Sequence, residues 1–307
     1  MTEVITVETS RQELERVKAP QVSVIVCIPA LNEAGAIGPV VKEAKRYSEF
    51  VLVCDDGSSD ETSEEALSMG AIVFRHSRTM GKGAALSTLF REASKLSPDV
   101  VVTLDGDGQH DPADIPRVLG PIIDGSADVV IGSRFNNGND VPLHRVIGNA
   151  LLNILTNLAA RTLIRDTQSG FRAYSARAAS RLSIAEKGMG VDSEIIIDLA
   201  KSESRIAERS IRVTYEGDTS TFNPVNHTIQ VLLALVRSQA KHKRFPARKL
   251  LWLSLVALPV IAALLINLAG HVAIVDGPAI ASVGAFGFVA TFGLSCRTAR
   301  SPKPATR

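Results

Sequence analysis

Cysteine is scarce: Cys27, Cys54 and Cys296 are the only three in 307 residues. Three scattered thiols exclude a disulfide framework or a zinc site. Cys27 and Cys54 fall in apolar, strand-like runs and read as reduced core thiols of a cytosolic domain. An excess of one charge is missing as well. Lys and Arg number 34 against 32 Asp and Glu, a formal net charge of +2, so global charge says little about partners and its placement matters more than its sum; no nucleic-acid partner is expected. Residues 1–20 carry Glu3, Glu8, Glu13 and Glu15 without a continuous apolar stretch. That excludes a secretory leader there and leaves a polar tail, with one short helix over 11–17. No Gly-x-Gly-x-x-Gly follows the first apolar run, which argues against a dinucleotide-binding oxidoreductase.

What is present, from about residue 21 to 244, is an alternation of short apolar runs with segments of helical period. Residues 22–28, 51–54, 71–74, 100–104 and 129–131 are β-branched and bounded by turn residues. Amphipathic stretches lie between them at 37–47, 61–69, 82–96 and 115–123. This rhythm predicts an α/β fold with a mostly parallel sheet covered by helices on both faces. A second region is less regular: a helix over 145–163, a loop and short strand over 166–174, a helix from Asp192, and a strand near 206–213. A helical pattern with Ile229, Leu232, Leu233 and Val236 on one face suits an interfacial helix at about 225–244 or packing on the domain core.

The C-terminal part changes character. Residues 250–269 and 277–296 are each 20 residues without a charge, the length that crosses a hydrocarbon layer. Arg237, Lys241, Lys243, Arg244, Arg248 and Lys249 precede the first; Arg297, Arg300, Lys303 and Arg307 follow the second. The pattern predicts a transmembrane hairpin over 250–296, with the catalytic domain and both termini cytoplasmic and a basic tail over 297–307. Its glycines permit close packing and a homo-oligomer through the hairpin.

In an open parallel sheet, ligands bind beyond the carboxyl ends of the strands, and the polar clusters fall there. Asp105-Gly-Asp107-Gly-Gln109 follows the fourth run. Carboxylates two residues apart in a glycine turn, with a neutral amide oxygen nearby, suit a hard cation such as Mg²⁺ or Mn²⁺ that keeps positions open for phosphate. Alone, the pattern reads better as a solvated acidic turn; its context changes that. Asp55-Asp56-Gly57-Ser58-Ser59-Asp60 ends the second run. Ser58 or Asp60 reads as a helix cap, while Asp55 can accept hydrogen bonds from a nucleobase or ribose. Pro29-Ala30-Leu31-Asn32-Glu33 gives a rigid turn with a carboxylate. Gly81-Lys82-Gly83 opens a helix where amides and a lysine can meet phosphate, although the full P-loop spacing is lacking.

Taken with Gly132-Ser133-Arg134-Phe135 and Asp166-Thr167-Gln168-Ser169-Gly170-Phe171-Arg172, these clusters occur in an order that resembles glycosyltransferase family 2. The resemblance covers about residues 22–240 and is nearest to the dolichyl-phosphate mannose synthase and polyprenyl-phosphate glucosyltransferase branch. It implies the GT-A nucleotide-sugar-binding fold. It also implies a metal, Mg²⁺ or Mn²⁺, on Asp105, Asp107 and Gln109, and a donor pocket formed by Pro29, Leu31, Glu33, Asp55, Asp56 and Lys82 beside the metal. Arg134 and Arg145 would bind the acceptor phosphate and act in catalysis with Asp107. Ser169 and Arg172 would belong to the acceptor side, and Asp192 and Glu194 would lie near the sugar.

The implied reaction is inverting transfer of a hexose from a nucleotide-sugar to a polyprenyl or dolichyl phosphate in the lipid bilayer. UDP-glucose or a UDP-N-acetylhexosamine is favoured over GDP-mannose. The acceptor oxygen is already anionic, so alignment and leaving-group stabilisation replace a strong base. Three alternatives stand beside it: transfer to a lipid-linked glycan, a sugar nucleotidyltransferase, and a non-catalytic membrane adaptor.

Overall fold

The computed structural model describes residues 22–135 and 143–214, with the backbone alone at 143–149 and 151. The expected polar tail, interfacial helix, hairpin and basic tail therefore lie outside the described residues. Among the described residues, no helix is long and apolar enough to cross a membrane.

Seven strands form one sheet: β1 (Val24–Ala30), β2 (Phe50–Asp55), β3 (Ile72–Arg75), β4 (Val100–Thr103), β5 (Val129–Ser133), β6 (Arg172–Ser175) and β7 (Ile206–Ser210). The helices are α1 (Ile37–Ala44), α2 (Thr62–Ser68), α3 (Lys82–Ser94), α4 (Ile115–Ile123), α5 (Leu143–Ala160), α6 (Ala176–Ala179) and α7 (Val191–Lys201). The strand order is β3-β2-β1-β4-β6-β5-β7. β1 pairs in parallel with β2 and β4, and β2 with β3.

The sequence of β1 explains its central place. All seven residues of Val-Ile-Val-Cys-Ile-Pro-Ala are buried, and β-branched side chains suit a strand covered on both faces. Successive side chains point to opposite faces. Val24, Val26 and Ile28 enter one core with Ile37, Val40 and Val41 of α1. Ile25 and Cys27 enter the other with Ala85, Leu86 and Leu89 of α3. Cys27 is fully buried, which pushes its thiol up; it is the inert core thiol that the sequence implies.

The second region follows the expected elements, with boundaries moved by a few residues, but its arrangement is new. β6 lies between β4 and β5 and is antiparallel to both. Val101 pairs with Tyr174, whose ring meets Phe90 edge-on at 5.3 Å. That insertion brings the 166–171 loop beside the end of β4, where the acidic turn begins.

Two loops at the carboxyl ends are strapped together. Asn32 takes a left-handed φ of 55°. Its amide donates to Ser58 Oγ at 2.9 Å, and its Oδ1 accepts from Ser59 N at 2.8 Å. Glu33 N donates to Thr62 Oγ1 at 2.8 Å. The Ser-Ser-Asp run thus holds the neighbouring Asn-Glu turn, and Asp60 also caps the start of α2 as expected, its Oδ1 accepting from Thr62 N at 3.2 Å. Helix α2 has no side-chain N-cap bond at Glu61.

Candidate active site

A cavity of about 440 Å³ opens beyond the carboxyl ends of β1, β2 and β4. Pro29, Leu31, Glu33, Asp56, Lys82, Asp105 and Asp107 lie on its wall, with Met80 and Met189. Seven residues singled out from sequence are therefore brought together. Gln109 is not on this wall: its amide donates to Asp107 Oδ1 at 3.0 Å and its carbonyl accepts from Thr214 N at 3.0 Å. Both bonds are made by the Gln109 backbone and shape the turn.

The electrostatics are those of crowded acids around one lysine. Lys82 Nζ lies 2.9 Å from Asp105 Oδ1 and 3.2 Å from Asp192 Oδ2. Burial would raise Asp105, but Lys82, His110 and Arg134 outweigh it and hold the carboxyl below its ordinary range. Burial lowers Lys82, yet its two carboxylate partners carry the ammonium above its usual value. Asp107 is raised, first by burial and then by Asp105. Glu33 is pushed up to about 7 by burial, Asp107, Asp105 and Asp60. The 166–172 loop runs close to Asp105, since a Cβ at Gly170 would collide with its carboxylate. Only glycine allows the 166–172 loop to approach so closely.

The two aspartates ending β2 have separate tasks. Asp55 is fully buried. Its carboxylate accepts from Ser58 N at 2.7 Å and from Ser63 Oγ, and Arg75 Nε lies 3.5 Å away. It is not among the residues that line the cavity, and its carboxylate is engaged by its own loop and helix. Asp56 does reach the wall. Its carboxylate accepts from Met80 N at 2.9 Å and Gly81 N at 2.6 Å, and meets His76 Nδ1 at 2.6 Å. It pins the loop that delivers Lys82.

On the expected acceptor side, Arg134 forms a two-pronged pair with Asp166, Nε to Oδ2 and Nη2 to Oδ1, each at 2.8 Å. Asp166 is fully buried, whereas the Arg134 side chain is 16% exposed. Ser169 is fully buried and accepts from Phe171 N at 3.3 Å. Arg172 is 1% exposed; its Nη2 donates to Thr167 O at 2.8 Å and pairs with Asp192 Oδ1 at 3.3 Å. Both stiffen, from inside, the loop that the sequence places on the acceptor side. Asp192 sits at the start of α7 between Arg172 and Lys82. Glu194 Oε2 accepts from Ala185 N at 3.1 Å and Glu186 N at 2.8 Å. It braces the loop against which α3 begins and does not line the cavity. Arg145 belongs to α5, and its side chain lies outside the described residues.

Sequence reasoning missed His110, His76 and Asp166. His110 is buried, its Nδ1 4.0 Å from Asp105 Oδ2 and without a hydrogen-bond partner among the described residues. Burial lowers its pKa. Its place in the acidic turn was a signal. Asp166 opens the 166–172 motif, yet nothing there announced its pairing with Arg134, and His76 carried no signal, because their meaning lies in partners distant along the chain.

The donor set fits a hard divalent cation. Asp105 and Asp107 offer carboxylate oxygens in a cavity where acid crowds acid, and the orphaned His110 nitrogen lies 4.0 Å from Asp105 Oδ2. Among the described residues, no three His, Cys, Asp or Glu side chains form a metal cage. Two carboxylates leave most of a six-oxygen shell to water or substrate, the arrangement suited to Mg²⁺ carried by phosphates.

The mostly parallel α/β sheet, with an acidic cavity at its carboxyl ends, has a GT-A-like fold. The chain belongs to glycosyl transferase family 2, whose model matches residues 25–183, and it is a glycosyltransferase. It is 33% identical to a UDP-N-acetylglucosamine–dolichyl-phosphate N-acetylglucosaminyltransferase of Methanococcus voltae, over 62% of this chain and 86% of that one. It is 34% identical to a dolichyl-phosphate hexose transferase of Haloferax volcanii, over 65% and 86%. Among solved structures, glucosyl-3-phosphoglycerate synthase of Mycobacterium tuberculosis with Mg²⁺ and UDP superposes with a TM-score of 0.59 at 25% identity, covering 74% of this chain and 82% of that one.

Proposed function

We propose that this enzyme transfers a hexose from a nucleoside-diphosphate sugar, with inversion, to a polyprenyl or dolichyl phosphate at the cytoplasmic membrane face. One observation carries the reading. The cavity places a carboxylate pair, Asp105 and Asp107, beside a buried lysine at the strand ends, where a diphosphate and its cation would be neutralised together. The names of both relatives support the lipid phosphate acceptor. UDP is favoured as the nucleotide because one relative uses UDP-N-acetylglucosamine and the solved neighbour binds UDP with Mg²⁺.

Asp105 and Asp107 would hold Mg²⁺ or Mn²⁺. When bound, the cation acts as a Lewis acid that stabilises the departing diphosphate. The chain's own groups do the rest. Pro29, Leu31 and Glu33 wall the donor pocket. Asp56, gripping the amides of Met80 and Gly81, fixes the start of α3 so that Lys82 faces the diphosphate. Arg134, held by Asp166, presents positive charge to the acceptor phosphate together with Arg145. Those cations offset repulsion between two anionic substrates, and the acceptor oxygen needs only alignment. Residues 250–269 and 277–296 would anchor the chain in the bilayer as a hairpin, with a homo-oligomer through its small residues. The segment at 225–244 would rest at the interface.

The test is a panel of UDP-glucose, UDP-N-acetylglucosamine and GDP-mannose with a polyprenyl phosphate acceptor and added Mg²⁺ or Mn²⁺. Sugar should appear on the lipid phosphate from at least one donor. Asp107→Ala should lower that rate by about a hundredfold or more, the scale of losing a few kcal/mol of charge stabilisation. Undiminished transfer by Asp107→Ala would remove the metal assignment. Transfer only to a lipid-linked glycan would replace the acceptor assignment.

A further inference from the structure

Lys82 has a role that its place on the cavity wall does not by itself require. Its side chain is 15% exposed, and its ammonium bridges Asp105 Oδ1 at 2.9 Å and Asp192 Oδ2 at 3.2 Å. The two anchors differ. Asp192 is also paired with Arg172 at 3.3 Å and is therefore fixed whatever Lys82 does. Asp105 lies close to the backbone at Gly170, where an added Cβ would meet its carboxylate. The lysine backbone is pinned too. Gly81 has a φ of 103°, and the Ala84 amide behind it donates to Lys187 O at 3.2 Å. What remains mobile is the four-carbon lysine stem. The ammonium occupies one of the two Asp105 oxygens, and a second cation on the same carboxylate would be repelled by it.

We propose that Lys82 is an internal counter-cation that keeps Asp105 closed to a divalent metal until a nucleoside diphosphate enters. Lys82 then leaves Asp105 for the diphosphate oxygens while keeping Asp192 as its pivot. The proposal rests on the reading of Asp105 and Asp107 as the metal pair. Its consequence is an order of binding: the metal arrives with the nucleotide and is not held before it. Asp105 is then not left bare to capture a stray cation in the empty enzyme.

The experiment measures bound Mn²⁺ on the full-length protein in detergent, from the loss of the free-ion electron paramagnetic resonance signal, with and without UDP. Wild type should bind Mn²⁺ about tenfold or more tightly with UDP than without, within the usual range of site-to-site coupling. Lys82→Met should gain Mn²⁺ affinity without UDP and none with it, so that the ratio collapses. Lys82→Arg should restore the ratio, and Lys82→Gln gives a second neutral variant should Met misfold. A parallel gain in both conditions, with the ratio unchanged, is a plain charge effect and overturns the proposal. So does wild type binding Mn²⁺ equally well without UDP. If wild type with UDP binds no Mn²⁺, the metal pair itself is refuted, an outcome distinct from either of those.

Discussion

At the scale of single residues, the site is governed by acids too close together. Glu33 shows the consequence. Its folded-state pKa of about 7 stands above its ordinary value of 4.5, first through burial and then through Asp107 and Asp105. The fold therefore favours protonated Glu33. That contribution to stability is complete below about pH 4.5 and is lost as pH rises through about 7. Glu33→Gln removes the titration. In metal-free buffer, the Tm of the variant relative to wild type should rise between pH 5 and pH 8. Parallel Tm profiles for the two proteins across that window would refute the assignment. Most of these acids were legible in the sequence, because a carboxylate just after an apolar run faces the ligand side of a parallel sheet. Asp55 was not. It has the same position in its motif as its neighbour Asp56, and only the fold reveals that Ser58 and Ser63 consume it while Asp56 reaches the cavity.

At the scale of elements, the ends of strands are tied by charge across long stretches of sequence. Arg134, just past β5, is clasped by Asp166 from the loop preceding β6. The backbone amide of Arg134 adds a third bond to Asp166 Oδ2 at 3.0 Å. Burial would raise Asp166, but Arg134 outweighs it and keeps the carboxylate ionised. Removing one partner of such a buried pair leaves a charge uncompensated and costs about 3–5 kcal/mol. Asp166→Ala should lower the unfolding free energy by that order in urea titration. A change under about 0.5 kcal/mol, the scale of an ordinary surface substitution, would show that the clasp is incidental. The strands and helices themselves were readable from their period. The insertion of β6 between β4 and β5 was not, since pairing order depends on contacts that no local pattern encodes.

At the scale of the whole molecule, the catalytic fold and the two uncharged stretches pose one physical question: where the enzyme meets a lipid acceptor. If residues 250–269 and 277–296 are spans, the full chain should stay with membranes through an alkaline carbonate wash. A chain ending at residue 244, which retains the proposed interfacial segment, should be released by the same wash. Release of the full chain would refute the hairpin.

The sequence by itself determined the α/β class, the family and the positions of the acidic turns. Those follow from local period and from motifs that each occupy one loop. It did not determine which carboxylates face the cavity, that Gln109 stands away from its wall, or that Lys82 bridges Asp105 to Asp192. Those depend on residues far apart in the chain meeting across the sheet. Only the packed structure decides whether a polar group is satisfied from within or left to meet a ligand.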